Sequence, residues 1–321
     1  MGLTAAVLVV WPLWTALGWW CFRRRADGLR ALGSLALAGL SLSLPLMVWD
    51  SHGGVRMLAA VLSILMVGKL GVVVNRGGGL LSADANLRDF MVWAGSLPEG
   101  RRSKSHEEAV RLRFTAQRDF GRCVFKGLIL YGMLMLNSVV APLDLRALST
   151  LWAGLFLYLV FSGLRDGLAA LHGWLGVHVP PLFDNPLVAA SPREFWGRRW
   201  NLWFTSTAHD LMFRSISKRF PSVLGAGLVF GVSAVLHEWI VIAGMHQFDG
   251  RMLAFFGLHF LAATLQSEWR GRIGYRWPRS VSVVLHFAWL WGSAPLFMDP
   301  VDDVLGLSTW TLASIQTFFL Q

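Results

Sequence analysis

Residues 222–244 read SVLGAGLVFGVSAVLHEWIVIAG, a 23-residue run whose only ionisable groups are His237 and Glu238. About 20 helical residues cross a bilayer core of about 30 Å, so this run predicts a membrane-spanning helix. Placing His237-Glu238 inside such a span costs a few kcal/mol on insertion scales, which makes the pair a functional candidate facing protein or a cavity. Runs of the same kind occupy residues 3–22, 29–49, 55–74, 123–140, 147–171, 251–267, 280–298 and, marginally, 303–320. Over all 321 residues, 55% are hydrophobic and 15% charged, against roughly 25% charged in soluble proteins. Seventeen Trp and 21 Phe against three Tyr suit lipid-facing surfaces and interfacial belts, and exclude a disordered or fibrous chain. A soluble enzyme is excluded. The expected fold is all-α and polytopic, with eight or nine transmembrane helices.

Charge orients these spans. With the N-terminus outside, the inner segments hold 24 of the 29 Lys and Arg, the outer segments hold Arg56, Arg146 and Arg251, and Lys69 and Arg165 fall within spans. That bias is the positive-inside signature, so the net charge of +10 reports membrane topology and no nucleic-acid partner is expected. Arg23-Arg24-Arg25 follows the first apolar run, which reads as a signal anchor and not a cleaved leader. Cys21 and Cys123 have no paired spacing, so neither a disulfide framework nor a thiolate metal site is expected. The chain reads as one membrane-embedded domain, 1–321, with N-terminal helices 1–74, an inner-side loop 75–122, a motif-bearing region 172–244 and C-terminal helices 251–320. The two longest non-spanning stretches, 75–122 and 172–221, share the inner side, where a large water-soluble substrate group is handled. The first is densely charged and has no catalytic spacing; it reads either as a solvated helix near anionic headgroups or as part of an anionic cosubstrate site.

The second stretch reads Pro180-Pro181-Leu182-Phe183-Asp184-Asn185-Pro186, then Ser191-Pro192-Arg193-Glu194-Phe195-Trp196-Gly197-Arg198-Arg199-Trp200-Asn201. Ser191 as cap, Pro192 in the first turn and Glu194 at the third position predict a helix start. Continued as one helix, it places Trp196, Trp200 and Trp203 on a single aromatic stripe and Asn201 on another face, with Gly197 leaving room beside the Asn amide. An interfacial helix with Trp anchors and Arg headgroup contacts accounts for the stripe, Arg198 and Arg199 without catalysis; it does not account for Asn201 just ahead of the next apolar run. In the 222–244 span, Ser233 lies one turn before His237 and can bond its ring, while Gly231 and Ala234 thin the helix for close packing. His259 and His286 read as hydrogen-bonded packing residues. A zinc-protease motif fails because Val241 stands where a second His is needed. No Gly-x-Ser-x-Gly elbow or Cys/His pair is evident, and no His residues show ligand spacing with one another, so no metal is expected. His237 is thus a base without a protein nucleophile, which suits direct attack by an acceptor.

At Pro181-Leu182-Phe183-Asp184, at Ser191 with Phe195-Trp196-Gly197-Arg198-Arg199-Trp200-Asn201, and at Val232-Ser233-Ala234-Val235-Leu236-His237-Glu238, the sequence resembles the wax synthase branch of the membrane-bound O-acyltransferases. The resemblance implies a helical bundle with an internal catalytic chamber. It also implies transfer of an acyl group from acyl-CoA, as cosubstrate with no other cofactor, to the hydroxyl of a lipophilic alcohol. His237 matches the family's catalytic His and Asn201 its motif Asn. Ala234 stands where Gly is frequent, and Arg193-Glu194 replaces a polar-Asp pair; both bear on acceptor preference. On this reading His237, kept neutral by burial, takes the hydroxyl proton, and Asn201 donates to the carbonyl oxygen or orients the acceptor. The expected substrate contacts are Trp196, Gly197, Arg198, Arg199, Trp200, Ser233 and Glu238, with Arg198 and Arg199 meeting either CoA phosphates or lipid headgroups. Long-chain fatty alcohol is the first acceptor; sterol, diacylglycerol, a hydroxylated metabolite, or acetyl-CoA as a shorter donor are alternatives. From another class, the alternatives are a multi-span transporter, which an inverted hydropathy repeat would favour and for which no such repeat is seen, or a non-catalytic lipid-binding membrane protein. The inner side corresponds to the cytoplasm of a bacterium, whose inner membrane then holds the protein; in a eukaryote the same topology places it in the endoplasmic reticulum.

Overall fold

A computed structural model describes residues 2–24, 28–75, 80–140, 146–273 and 277–310. Almost all of it is helical. The helices are α1 (Leu3–Arg23), α2 (Gly28–Met47), α3 (Gly53–Asn75), α4 (Leu87–Gly95), α5 (His106–Val140), α6 (Arg146–Trp174), α7 (Pro192–Glu194), α8 (Leu202–Ala208), α9 (Arg214–Ser217), α10 (Ser222–Met245), α11 (Arg251–Ile273), α12 (Arg279–Ser293) and α13 (Pro295–Leu305). A two-residue antiparallel ribbon pairs β1 (Arg101–Arg102) with β2 (Val177–His178), Arg101 opposite His178. The chain divides into two compact units whose segments alternate along the sequence: 1–104, 177–180 and 202–260 in the first, 105–176, 181–201 and 261–321 in the second.

α1, α2, α3, α6 and α10 are each long and apolar enough to cross a membrane, and α12 with α13 makes a sixth candidate bent by 48°. These account for the expected runs 3–22, 29–49, 55–74, 147–171, 222–244 and 280–298. The last of these is not straight, because the chain turns at Ala294-Pro295. Residues 123–140 and 251–267 are helical within α5 and α11, and each run ends at or beside residues whose side chains lie outside those described. Most of 303–320 lies outside the described residues. The protein is an all-α polytopic membrane protein with five or six candidate spans among the described residues.

In the first unit, Ala6, Val10 and Trp14 line one stripe of α1 and pack with Leu37 and Leu44 of α2, Ala59 and Met66 of α3, and Phe90 and Trp93 of α4. Trp14 Nε1 donates to the buried Ser41 Oγ at 3.0 Å. Three cations, the buried Lys69 and Arg30 and the half-buried Arg56, cap helix ends, where the last carbonyls lack intrahelical donors. Lys69, 1% exposed, donates to Trp93 O, Ala94 O and Ser96 O at 2.8, 2.8 and 2.7 Å, closing α4. Its ammonium also lies 5.1 Å from the Trp93 ring. Arg30 donates to Val73 O and Val74 O at the end of α3. Arg56 donates to Ala243 O at 2.6 Å and Gly244 O at 2.5 Å, closing α10. α8 docks on α3 where Trp203 covers Gly68; a Cβ there would lie 2.5 Å from the indole, so the contact requires glycine.

In the second unit α5 and α6 pack side by side. Gly173 permits this approach, since a Cβ would stand 2.9 Å from both Ala116 Cβ and Leu112 O. Lys126 of α5 reaches Asp166 of α6 at 2.5 Å, and Arg165 pairs with the same carboxylate at 2.9 Å. The in-span Arg165 thus shares a single carboxylate with Lys126. Asn137 Nδ2 donates to Ser308 O and Trp310 O at 2.9 and 2.8 Å, tying the segment after α13 to α5.

Candidate active site

His237 lies in α10, in the first unit. Its Nδ1 is 2.8 Å from the Ser233 carbonyl oxygen. A carbonyl only accepts, so the neutral ring carries its proton on Nδ1 and its basic lone pair on Nε2. The sequence points to the Ser233 side chain for this contact; the atom that makes it is the backbone oxygen of the same residue. The ring packs on Phe256 of α11, with centroids 4.7 Å apart, and Phe255 next to it lies against His259 at 4.3 Å. Ala234, Glu238 and Val241 form the buried stripe of α10, whereas His237 remains partly accessible. Gly231 faces open space, with no atom within 4 Å of where a Cβ would stand, so only Ala234 of that pair serves close packing.

Glu238, expected as a substrate contact, braces the turn between α10 and α11. Its Oε1 accepts from Asp249 N and Gly250 N at 2.7 Å each, at a position where Gly250 has φ +85°. Its Oε2 is buried and has no hydrogen-bond partner among the described residues. Asp249 in that turn is paired with Arg251 Nε at 2.7 Å. Hydrogen bonding from that guanidinium is the main reason its carboxyl is held below the usual range.

The motif ending in Asn201 belongs to the second unit. Ser191 caps α7 as expected, its Oγ accepting from Glu194 N at 3.0 Å, but the single long helix does not form. The backbone widens into a π turn over Phe195–Arg199, closed by Trp200 N donating to Phe195 O at 2.9 Å. Trp200 is then extended, Asn201 takes φ 44°, and α8 begins only at Leu202. The physical reason is aromatic packing. The extra residue in the turn lets Trp200 fold back to stack on Phe195, centroids 5.3 Å apart and planes 15° from parallel, while Phe183 meets Trp200 at 4.9 Å and Tyr158 meets Phe183 at 5.5 Å. Asn tolerates a left-handed backbone better than most residues. The predicted Trp196–Trp200–Trp203 stripe is therefore broken: Trp196 is edge-on to Phe195, Trp200 is in the stack, and Trp203 packs on Gly68.

Glu194 organises the turn beyond its role as a helix cap. Its carboxylate accepts from Ala190 N at 3.0 Å, from Arg199 Nε at 2.7 Å and from Arg279 at 3.2 Å. Partial desolvation alone would raise its pKa, but these hydrogen bonds outweigh it and hold the carboxyl down at about 2. Arg199 also donates to Asp184 O at 2.9 Å, and Asp184 N returns a bond to Arg199 O, pinning the Pro181–Pro186 segment to the turn. Arg198 by contrast is exposed, and Gly197 has open space around it.

The structure thus joins Arg199 and Trp200 around Phe195, and His237 to the Ser233 backbone, in separate units. Two residues escape the sequence reading. Glu194 is seen there only as a cap, although its i+5 spacing to Arg199 is that of a π turn. His286, read as a hydrogen-bonded packing residue, is 5% exposed, and neither ring nitrogen has a partner among the described residues; its ring lies 5.7 Å from that of Phe195. No group of three potential metal-binding side chains occurs among the described residues.

Residues 179–258, which contain both motifs, match the profile of the membrane bound O-acyl transferase family. The chain is 30% identical over 127 residues to acyl-CoA–sterol O-acyltransferase 1 of Arabidopsis thaliana, covering 36% of this chain and 37% of that protein. It is 26% identical over 270 residues to the probable long-chain-alcohol O-fatty-acyltransferase 6 of the same plant, covering 79% and 75%. Against the long-chain-alcohol O-fatty-acyltransferase of Simmondsia chinensis it is 39% identical over 72 residues, 20% of each chain. The match therefore spans well under half the length of the sterol acyltransferase. The motif-bearing region of this polytopic helical chain is thus similar to the membrane-bound O-acyltransferase family, and the longer alignment, at 26% identity, extends the similarity over most of the chain.

Proposed function

We propose that the protein transfers an acyl group from acyl-CoA to the hydroxyl of a lipophilic alcohol, with long-chain fatty alcohol as the first acceptor and a wax ester as product. The observation that carries this reading is the His237 ring, anchored through Nδ1 to the Ser233 carbonyl so that Nε2 is the basic atom. In the proposed step the acceptor oxygen attacks the thioester carbonyl carbon as His237 Nε2 takes the hydroxyl proton. The C–S bond breaks, and the proton passes from the imidazolium to the departing thiolate to give free CoA. Asn201, on the strength of the family resemblance, steadies the carbonyl oxygen or orients the acceptor.

Arg199 has its donors engaged by Glu194, Asp184 and Asn185, which leaves the exposed Arg198 as the better candidate for a CoA phosphate or a lipid headgroup. Trp196, Trp200 and Gly197 act through the shape of the turn, and Glu238 through the α10–α11 connection. Sterol stands as the second acceptor, because a sterol O-acyltransferase is among the similar proteins. The site opens on the cytoplasmic face of the membrane that holds the protein.

The test uses purified protein in nanodiscs with radiolabelled palmitoyl-CoA and, in parallel, hexadecanol, cholesterol or diacylglycerol. Ester formed by the wild type and lost on His237→Ala supports the reading. Equal turnover by the Ala variant sinks it, and ester from only one acceptor assigns the acceptor class.

A further inference from the structure

The buried imidazole of His286 has no place in the mechanism above. A neutral imidazole carries one donor and one acceptor, yet among the described residues neither Nδ1 nor Nε2 of this 5%-exposed side chain is hydrogen-bonded. Orphaned buried polar groups are rare in native proteins and call for a specific cause, frequently a partner that arrives with a ligand. The ring's position supplies a second observation. It packs at 5.7 Å and 56° against Phe195, the first residue of the π turn that leads to Asn201, and π turns recur at functional sites.

The local charges narrow the ligand. The Glu194 carboxylate acts electrostatically on the ring, and it is already neutralised by Arg199 and Arg279. Arg199 spends its remaining donors on Asp184 and Asn185, and Arg279 also donates to Val188 O. Arg199 is thus committed within the protein, and Arg279 bonds through Nη2 on a side chain that is 61% exposed, so neither is a buried cation held ready for a phosphate beside the imidazole. An uncharged polar group beside the Phe195 ring fits instead.

We propose that His286 is a second substrate-contacting residue, hydrogen-bonding an uncharged hydroxyl or carbonyl at the head of an apolar chain that lies against Phe195. Identifying that group as the acceptor hydroxyl or the acyl-CoA carbonyl rests on the acyl-transfer reading; the contact itself does not. A purely structural role predicts a different outcome from this one, because replacing an unpartnered imidazole by an apolar side chain of similar size removes a desolvation cost.

The experiment measures thermal midpoints of the full-length protein in nanodiscs, titrated separately with palmitoyl-CoA and with hexadecanol, for the wild type, His286→Leu and His286→Gln. Without ligand, the Leu variant unfolds at the wild-type temperature or above. With ligand, it binds one of the two probes about tenfold more weakly, and the Gln variant, which keeps a hydrogen-bonding group, stays within about threefold of wild type. The probe affected distinguishes the hydroxyl from the carbonyl. Equal affinities of wild type and Leu variant for both probes overturn the proposal, as does a wild type that binds neither, or a Leu variant that does not fold. Ester formation is measured in the same samples. A wild type that makes no ester but loses affinity on His286→Leu refutes acyl transfer and leaves the contact standing.

Discussion

The α10 site and the Phe195–Asn201 turn handle buried polar groups in opposite ways. Around α10 the satisfying partners are backbone atoms: His237 uses the Ser233 carbonyl, Glu238 takes the amides of Asp249 and Gly250, and Arg56 takes the last carbonyls of the helix. Around the turn the organising contacts are ion pairs between side chains, with Glu194 joined to Arg199 and Arg279. The Ser233 carbonyl does not titrate, so the acceptor that holds His237 Nδ1 is the same across pH. The turn depends on a carboxylate and is therefore acid-sensitive, and a single side-chain substitution can dismantle it.

His237→Ala gives the largest effect on this contrast, because it removes the reacting group itself. Turnover of palmitoyl-CoA with the productive acceptor should fall by about 10²- to 10⁴-fold with little change in thermal midpoint. A comparable loss from substitutions in the turn alone would move the chemistry away from α10. Lys69→Met comes next. It strands the carbonyls of Trp93, Ala94 and Ser96, at a cost of about 1–3 kcal/mol for leaving buried polar groups unpaired, read as a lowered unfolding midpoint in nanodiscs. Wild-type stability would mean that the α4 cap matters little to the first unit.

The pH dependence sharpens the comparison further. The folded-state pKa of Glu194 is depressed, so its contribution to stability is complete above pH 4.5 and is lost as pH falls towards about 2. Melting the wild type and Glu194→Gln across that range should show the difference between them shrinking as the acid limit is approached. A constant difference would separate the turn's stability from this carboxylate. Ser233→Ala gives the smallest effect: the hydroxyl is not the atom that holds His237, so activity should stay within about threefold of wild type, a change near or below one neutral hydrogen bond. A tenfold loss would transfer the anchoring role from the carbonyl to the side chain.

Much of this is readable from the chain. The runs 3–22, 29–49, 55–74, 147–171 and 222–244 agree with α1, α2, α3, α6 and α10 to within a few residues, since a span is a local property of length and apolarity. The Ser191 cap is legible for the same reason. The path from Trp196 to Trp203 is not, because helical periodicity carries no sign that Phe195, Phe183 and Tyr158 will draw Trp200 into a stack and open a π turn. Arg199 reads as a contact to CoA phosphates or lipid headgroups, and its bonds to Asp184 and Glu194 emerge only when 181–186 folds back on the turn.

What the sequence alone determined is thus the membrane class, the positions of the principal spans and the presence of His237 within one of them. All of these follow from neighbours along the chain. The tertiary structure decided which atoms satisfy the buried polar groups. Lys69 finds its acceptors about 90 Å of extended chain away at residues 93–96, Arg56 finds them at residues 243 and 244, and His286 finds none among the described residues. A hydrogen bond is set by position in space, and no pattern of neighbours encodes which distant carbonyl a buried cation will reach.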